Sequence, residues 1–184
     1  ADSLVTPFMM DLRCATGLAR SCQDPWNPIP SEAAICTLLG RADDVPSTTV
    51  LLSPSQAQEP ENWCDQGRGL LGPGLRAAIE DQLCGQKRPL RVFSDAHAER
   101  WRSEELGVIR SELTAVLPDD KCWRFISQAV GDLGAAASLT AAIAAASLPG
   151  PALILSSSRT GSRSVMLVKS DPLPFVDSKS SLQA

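Results

Sequence analysis

One stretch of the chain, residues 129–168, constrains the fold more than any other part of the sequence. It contains a run of very small residues at 134–147, dominated by alanine, which predicts a helix that neighbouring elements can approach closely. Two apolar runs, 152–155 and 165–169, follow and are joined by SSSRTGSR, whose polar, glycine-containing composition is typical of a hairpin connection. The stretch therefore predicts a buried Ala-rich helix followed by a β-hairpin.

Helical periodicity and short β-branched or apolar runs alternate along the rest of the chain. We predict helices at 12–22, 32–39, 75–83 and 98–117, and strands at 48–52, 90–93 and 122–125. Glycine and proline punctuation predicts a loop over 56–74. Alternating strands and helices indicate an α/β fold, with a mixed β-sheet flanked by helices on both faces.

Length and charge limit the domain count and the classes of partner. The 184 residues suggest a single domain over 1–170, followed by a flexible, serine- and proline-containing tail over 171–184. The net charge is −4 and the basic residues are scattered, so we expect no nucleic-acid partner. No apolar run reaches the roughly 20 residues that a membrane span needs, so we expect no membrane partner.

The chain has six cysteines, at positions 14, 22, 36, 64, 84 and 122, and one histidine, His97. It contains no CxxC pair, so we expect neither a structural metal site nor a cofactor. Reduced thiols in the cytoplasm are the favoured interpretation. A periplasmic or secreted protein with disulfides stays open as the alternative, with Cys64 and Cys84 as the first pair to consider.

Two motifs in the second half of the chain resemble catalytic motifs of the β-ketoacyl synthases, enzymes of the thiolase-like superfamily. VFSDAHAER (92–100) is similar to the strand and turn that carry the first catalytic histidine, which places His97 there. VGDLGAA (130–136) is similar to the Gly-His-x-x-Gly-Ala-Ala motif, with Asp132 at the position of the second histidine. Ala98 and Glu99 replace the usual Gly-Thr after the first histidine, so the resemblance implies incomplete chemistry.

A third motif, DLRCATG (11–17), allows two interpretations. It resembles the nucleophile turn of the synthases, which would place Cys14 at the reactive position. The longer segment LVTPFMMDLRCATGLARS also resembles the start of the family, where a Val-Thr-Pro turn leads into the first helix, and Cys14 would then have no chemical role. We favour the second interpretation because a nucleophile turn needs a preceding strand, and Pro7 makes 4–10 a poor one.

The family pattern is degenerate elsewhere too. Ser127 stands where the family has a lysine, and the final glycine-rich turn keeps only Gly161. The chain is also about half as long as a complete synthase. The resemblance therefore implies half of a thiolase-like fold, with the Ala-rich helix in its middle.

The variants DAHAERWR (95–102) and AVGDLGAA (129–136) match best the β-ketoacyl-synthase-like proteins of bacterial type VI secretion loci. This likeness implies a non-catalytic adaptor, chaperone or immunity protein for a secreted effector. The expected partner is the effector, a secretion component or a second copy of the chain. The alternative is a small acyl-thioester enzyme that uses Cys14 as nucleophile and His97 as base.

Several single residues also allow simpler structural roles. Asp132 would be ionised and able only to accept hydrogen bonds, which favours a role as a helix cap over oxyanion stabilisation. Trp101 and Trp123 are expected in the core, and Glu104 and Glu105 on a solvated helix face. The candidate partner contacts are Trp63, Trp101, Arg159 and Arg163.

Overall fold

A six-stranded mixed sheet forms the centre of the structure, a computed structural model that describes residues 2–3, 32–33, 49–60, 72–96 and 99–170. The strands are β1 (Asp2–Ser3), β2 (Glu32–Ala33), β3 (Thr49–Leu51), β4 (Ser55–Gln58), β5 (Arg91–Ser94), β6 (Trp123–Phe125), β7 (Gly150–Ser157) and β8 (Ser162–Ser170). The α-helices are α1 (Pro73–Leu83), α2 (Arg100–Glu112), α3 (Ile126–Val130) and α4 (Ala137–Ala146). Short 3-10 turns cover Asp120–Cys122 and Gly134–Ala136.

The order of strands across the sheet is β3, β8, β7, β5, β6, with β4 also paired to β8. Strand β5 runs parallel to both β6 and β7, whereas β8 is antiparallel to β7, β3 and β4. Strands β1 and β2 form a separate antiparallel pair. Since β5, β6 and β7 are parallel, their carboxyl ends meet at one edge of the sheet.

Helices cover both faces of the sheet, because successive side chains of a strand point to opposite faces. On β7, Leu153 and Leu155 lie in the core formed with α1 and α2, whereas Ala152 and Ile154 pack in the core formed with α4. The α/β fold with a mixed sheet flanked by helices is therefore confirmed.

The Ala-rich helix α4 packs on the sheet through its alanines. Ala141, Ala142 and Ala145 are buried against Phe93 and its neighbours, as expected for small side chains that allow close approach. On the opposite side of the helix, Ile143 is 41% exposed. The predicted buried Ala-rich helix is thus confirmed along the face that meets the sheet.

The predicted hairpin is also confirmed, and it is longer than the apolar runs alone indicate. Strands β7 and β8 pair from Gly150 opposite Ser170 to Ser157 opposite Arg163. The connecting turn closes where the Gly161 N–H donates to the Ser158 carbonyl oxygen at 3.1 Å. Gly161 has φ +91°, a left-handed conformation that suits glycine.

Several predicted elements need correction. The loop predicted over 56–74 contains most of β4, a polar strand that was missed because its order depends on pairing with β8. The helix predicted from residue 32 is wrong at Glu32–Ala33, which form a strand. Helix α2 ends at Glu112, well short of residue 117, and the short helix α3 was not predicted.

Other predictions fall outside the described residues, among them the helix at 12–22 and the tail at 171–184. Cys64 also lies outside them, and its suggested partner Cys84 is an exposed free thiol. Trp123 is buried, which confirms its predicted place in the core. Within the described ranges, no helix combines the length and the hydropathy that a membrane crossing requires.

Candidate functional site

A polar cleft of about 600 Å³ opens at the carboxyl ends of β5 and β7. Crevices at this edge of an α/β sheet are common binding positions, because the loops that follow the strands converge there. The β7–β8 turn, the first turn of α2 and the start of α4 form the remaining walls. The lining residues are Asp95, Glu99, Arg102, Asp132, Gly134, Ala135, Ala137, Ser138, Ser156, Ser157, Ser158, Arg159, Ser162 and Ser164.

Asp95 lies directly after β5 at the floor of the cleft, where it bonds to residues of β7 and α2. Its Oδ2 accepts hydrogen bonds from the Ser156 hydroxyl at 2.9 Å and from the Ser157 N–H at 3.1 Å. Its Oδ1 lies 3.0 Å from the Arg102 guanidinium. The Ser138 hydroxyl of α4 donates in turn to Ser156 Oγ at 2.9 Å. These bonds fix β5, β7, α2 and α4 relative to one another.

Glu99, at the start of α2, pairs with two arginines at once. Its Oε2 accepts a hydrogen bond from Arg102 Nε at 3.0 Å. Its Oε1 accepts one from Arg159 Nε at 2.7 Å, and a second Arg159 nitrogen also contacts this oxygen. Arg159 is the more accessible partner, with a side chain 37% exposed. The network therefore joins the β7–β8 turn to α2.

Asp132, part of the motif VGDLGAA, is buried just before the 3-10 turn that leads into α4. Its Oδ1 accepts a hydrogen bond from the Gly134 N–H at 2.9 Å. This bond satisfies one of the free amide groups at a helix start, and it is the capping role that the sequence favours.

Behind the cleft lies a cluster of three charged side chains, Glu59, Glu105 and Arg163, which we name the buried triad. Arg163 Nε lies 2.7 Å from Glu105 Oε1 and 3.7 Å from Glu59 Oε1. The Ser157 hydroxyl donates to Glu105 Oε2 at 3.3 Å, so Ser157 links the triad to Asp95 in the cleft. Burial raises the pKa of Glu105 from its usual 4.5 to about 7, and the nearby Arg163 opposes this rise.

The ring of Trp101 contacts two arginine side chains. The guanidinium carbon of Arg102 lies 4.9 Å from the ring centroid, and that of Arg163 lies 5.3 Å from it. These distances fit cation–π contacts, which help to hold a buried charge beside an aromatic ring. Trp101 is therefore part of the core that supports the cleft.

The candidate partner contacts that the structure describes differ in their exposure to solvent. Trp101 is 5% exposed and Arg163 is 1% exposed, so their assignment as partner contacts is wrong, because a partner cannot reach them. Arg159 lies at the cleft and is accessible. Trp63, Cys14 and His97 lie outside the described residues.

Sequence reasoning missed the buried state of Glu105, which was expected with Glu104 on a solvated face. Glu104 pairs with Arg100 and is 38% exposed, whereas Glu105 is fully buried. The missed signal is helical spacing: Glu105 is four residues after Trp101 and four before Ile109, both buried.

The described residues include no group of three or more His, Cys, Asp or Glu side chains that could hold a metal ion. The described lining of the cleft consists of Asp, Glu, Arg, Ser, Gly and Ala side chains. These described residues offer hydrogen-bonding and charged groups to a ligand.

Comparisons with known proteins give a distant structural likeness. No family model matches the chain, and no curated protein matches it. Among solved structures, the ishigamide ketosynthase/chain length factor is similar over 68% of this chain and 36% of its own chain. The sequence identity is 20% and the TM-score 0.47. The chain thus spans about a third of that neighbour, and the thiolase-like interpretation continues to rest on the sequence motifs.

Proposed function

We propose that this chain is a non-catalytic protein-interaction module on a degenerate β-ketoacyl-synthase-like scaffold. The observation that carries the proposal is the hydrogen bond from the Gly134 N–H to Asp132. An ionised carboxylate can only accept hydrogen bonds, so at this position it would repel a developing oxyanion. Asp132 supports the start of a helix and offers no donor for a condensation reaction.

The ion pairs of the cleft give further support. Asp95, Glu99, Arg102 and Arg159 bond to one another, so each charge is already compensated within the protein. Acid–base catalysis needs a group that exchanges protons with a substrate, whereas a network of this kind holds a surface in one shape. A fixed shape reduces the ordering cost of binding and suits recognition.

The contact surface in this proposal is the β7–β8 turn and the adjacent rim of the cleft. Arg159 is accessible there, and Ser158, Ser162 and Ser164 line the same side. Arginine is enriched at the energetically important positions of protein interfaces.

The finer part of the proposal concerns the partner. The resemblance of 95–102 and 129–136 to proteins of type VI secretion loci supports a secreted bacterial effector or a secretion component. The chain would act on it as an adaptor, a chaperone or an immunity protein. A second copy of the chain is the competing occupant of the surface.

The test is co-expression of the tagged chain with the product of each neighbouring gene, followed by purification and measurement of the mass of the complex. A stoichiometric complex is expected, and Arg159→Ala should weaken its affinity about tenfold or more. Arg76→Ala is the matched control, because Arg76 is a comparably exposed arginine, 41% exposed, that pairs with Glu112 away from the cleft. A stable monomer without affinity for any of these products would contradict the proposal.

A further inference from the structure

The buried triad contains more negative than positive charge. The side chains of Glu59, Glu105 and Arg163 are each at most 1% exposed, and one guanidinium nitrogen faces both carboxyl groups. If both glutamates were ionised, the triad would keep one uncompensated negative charge away from water. Such a charge is costly in a protein interior, where groups change protonation instead.

The other contacts of the triad do not supply the missing compensation. Glu59 Oε1 accepts the Leu75 N–H of the first turn of α1 at 2.9 Å. The remaining oxygen, Glu59 Oε2, is buried and has no hydrogen-bond partner among the described residues. On β7, Ser157 faces Glu105 with a neutral hydroxyl.

The charged groups on the neighbouring elements are engaged elsewhere. Arg163 uses another nitrogen for the carbonyl oxygens of Ser158 at 2.8 Å and Ser162 at 3.1 Å. On α2, Arg102 pairs with Asp95 and Glu99 on the cleft side. Arg163 is therefore the cation that faces both carboxyl groups of the triad in the described structure.

We propose that the folded protein holds one proton between the carboxyl groups of Glu59 and Glu105, and that its release above neutral pH weakens the packing of α1 and α2 on the sheet. With this proton the pair carries a single negative charge, which Arg163 neutralises. The same proton supplies the hydrogen-bond donor that a pair of ionised carboxylates lacks. Its loss leaves two like charges against one cation at the junction of β4, α1, α2 and β8.

The direction of the pKa shift agrees with this geometry. Burial raises the pKa of Glu105 from 4.5 to about 7, and the negative charge of the nearby Glu59 also favours the protonated form. The group therefore contributes stability that is fully present below about 4.5 and is lost as the pH rises through about 7. The folded protein should be less stable in mildly alkaline than in mildly acidic buffer.

The first test is urea unfolding, followed by tryptophan fluorescence, from about pH 5.5 to about pH 8.5. The unfolding equilibrium constant of Glu104→Gln, the exposed neighbour, should rise about 30-fold more over this range than that of Glu105→Gln. Glutamine keeps the shape and an acceptor for Arg163 but cannot ionise. Equal pH dependence of the two variants would overturn the proposal.

The second measurement needs no variant. In a carbon-13 NMR titration of the glutamate carboxyl carbons of the wild-type protein, one resonance should titrate between about pH 6 and pH 8. Failure of Glu105→Gln to fold would leave this titration as the deciding result. A wild-type protein whose glutamates all titrate below about pH 6 would overturn the proposal.

Discussion

Asp132 determines how the chain enters its Ala-rich helix. Its carboxylate holds the Gly134 amide at 2.9 Å, and the 3-10 turn Gly134–Ala136 then leads directly into α4. Asp132 also lines the cleft, so this bond sets the local backbone at the edge of the cleft.

Asp132→Ala should lower the free energy of unfolding by about 1 kcal/mol, because the Gly134 amide loses its acceptor. Asp132→Asn should lose only a few tenths of this, since the asparagine oxygen can accept the same bond. Urea denaturation of the two variants beside the wild type measures both values. Equal losses in both would show that the negative charge, and not the acceptor, is what stabilises the turn.

At the residue scale, the roles of some charged residues could be predicted from the sequence and those of others could not. The capping role of Asp132 could be predicted because it depends on neighbours in sequence. The burial of Glu105 and Arg163 could not, because the two residues meet across 58 positions of the chain. Without the position of the strand that carries Arg163, the sequence around Glu105 looks like that of a solvent-exposed glutamate. Only its spacing from Trp101 and Ile109 indicates that it is buried.

At the scale of elements, the junction of β4 and α1 depends on a close approach at Gly74. A Cβ at this position would lie 2.9 Å from Glu59 Oε1 and 3.0 Å from the Gln58 carbonyl group. Glycine therefore allows the first turn of α1 to sit against the end of β4. This contact also brings the Leu75 N–H to Glu59.

Gly74→Ala should destabilise the protein by about 1–3 kcal/mol, since the added methyl group forces α1 away from the end of β4. Gly107→Ala is the matched control in α2, where nothing lies within 4 Å of an added Cβ. That change should stabilise the protein by up to about 1 kcal/mol, because alanine favours helix. Thermal and urea unfolding measure both, and a neutral Gly74→Ala would contradict the close packing.

The β7–β8 hairpin and α4 could be predicted because their order is largely local. The β7–β8 hairpin and α4 follow one another in the chain, and their alternating and small-residue patterns are visible without a partner. Strand β4 has the polar sequence SQAQ, and its order depends on β8, more than 100 positions away. The length of α2 was overestimated because apolar spacing continues past Glu112 to Leu113 and Leu117, which are buried outside the helix.

At the scale of the whole molecule, the order of the strands brings Asp95 and Asp132, one from each of the two sequence motifs, to the same edge of the sheet. Asp95 directly follows β5, and the segment with Asp132 precedes α4, which packs on the opposite face from α1 and α2. The cleft contains residues of both segments. The ion pairs between Arg159, Glu99 and Arg102 were not predicted, because they depend on the relative position of the β7–β8 turn and α2.

The proposal of a non-catalytic module predicts that no cysteine behaves as an activated nucleophile. An active-site thiolate has a depressed pKa and reacts quickly at a pH where ordinary thiols are slow. In native protein treated with iodoacetamide at about pH 6, Cys14 should therefore label no faster than the exposed Cys84. Site-resolved mass spectrometry measures the rates, and the urea-unfolded protein gives the unperturbed rates of all six cysteines. Labelling of Cys14 about tenfold faster than Cys84, lost on His97→Gln, would instead support the acyl-thioester enzyme.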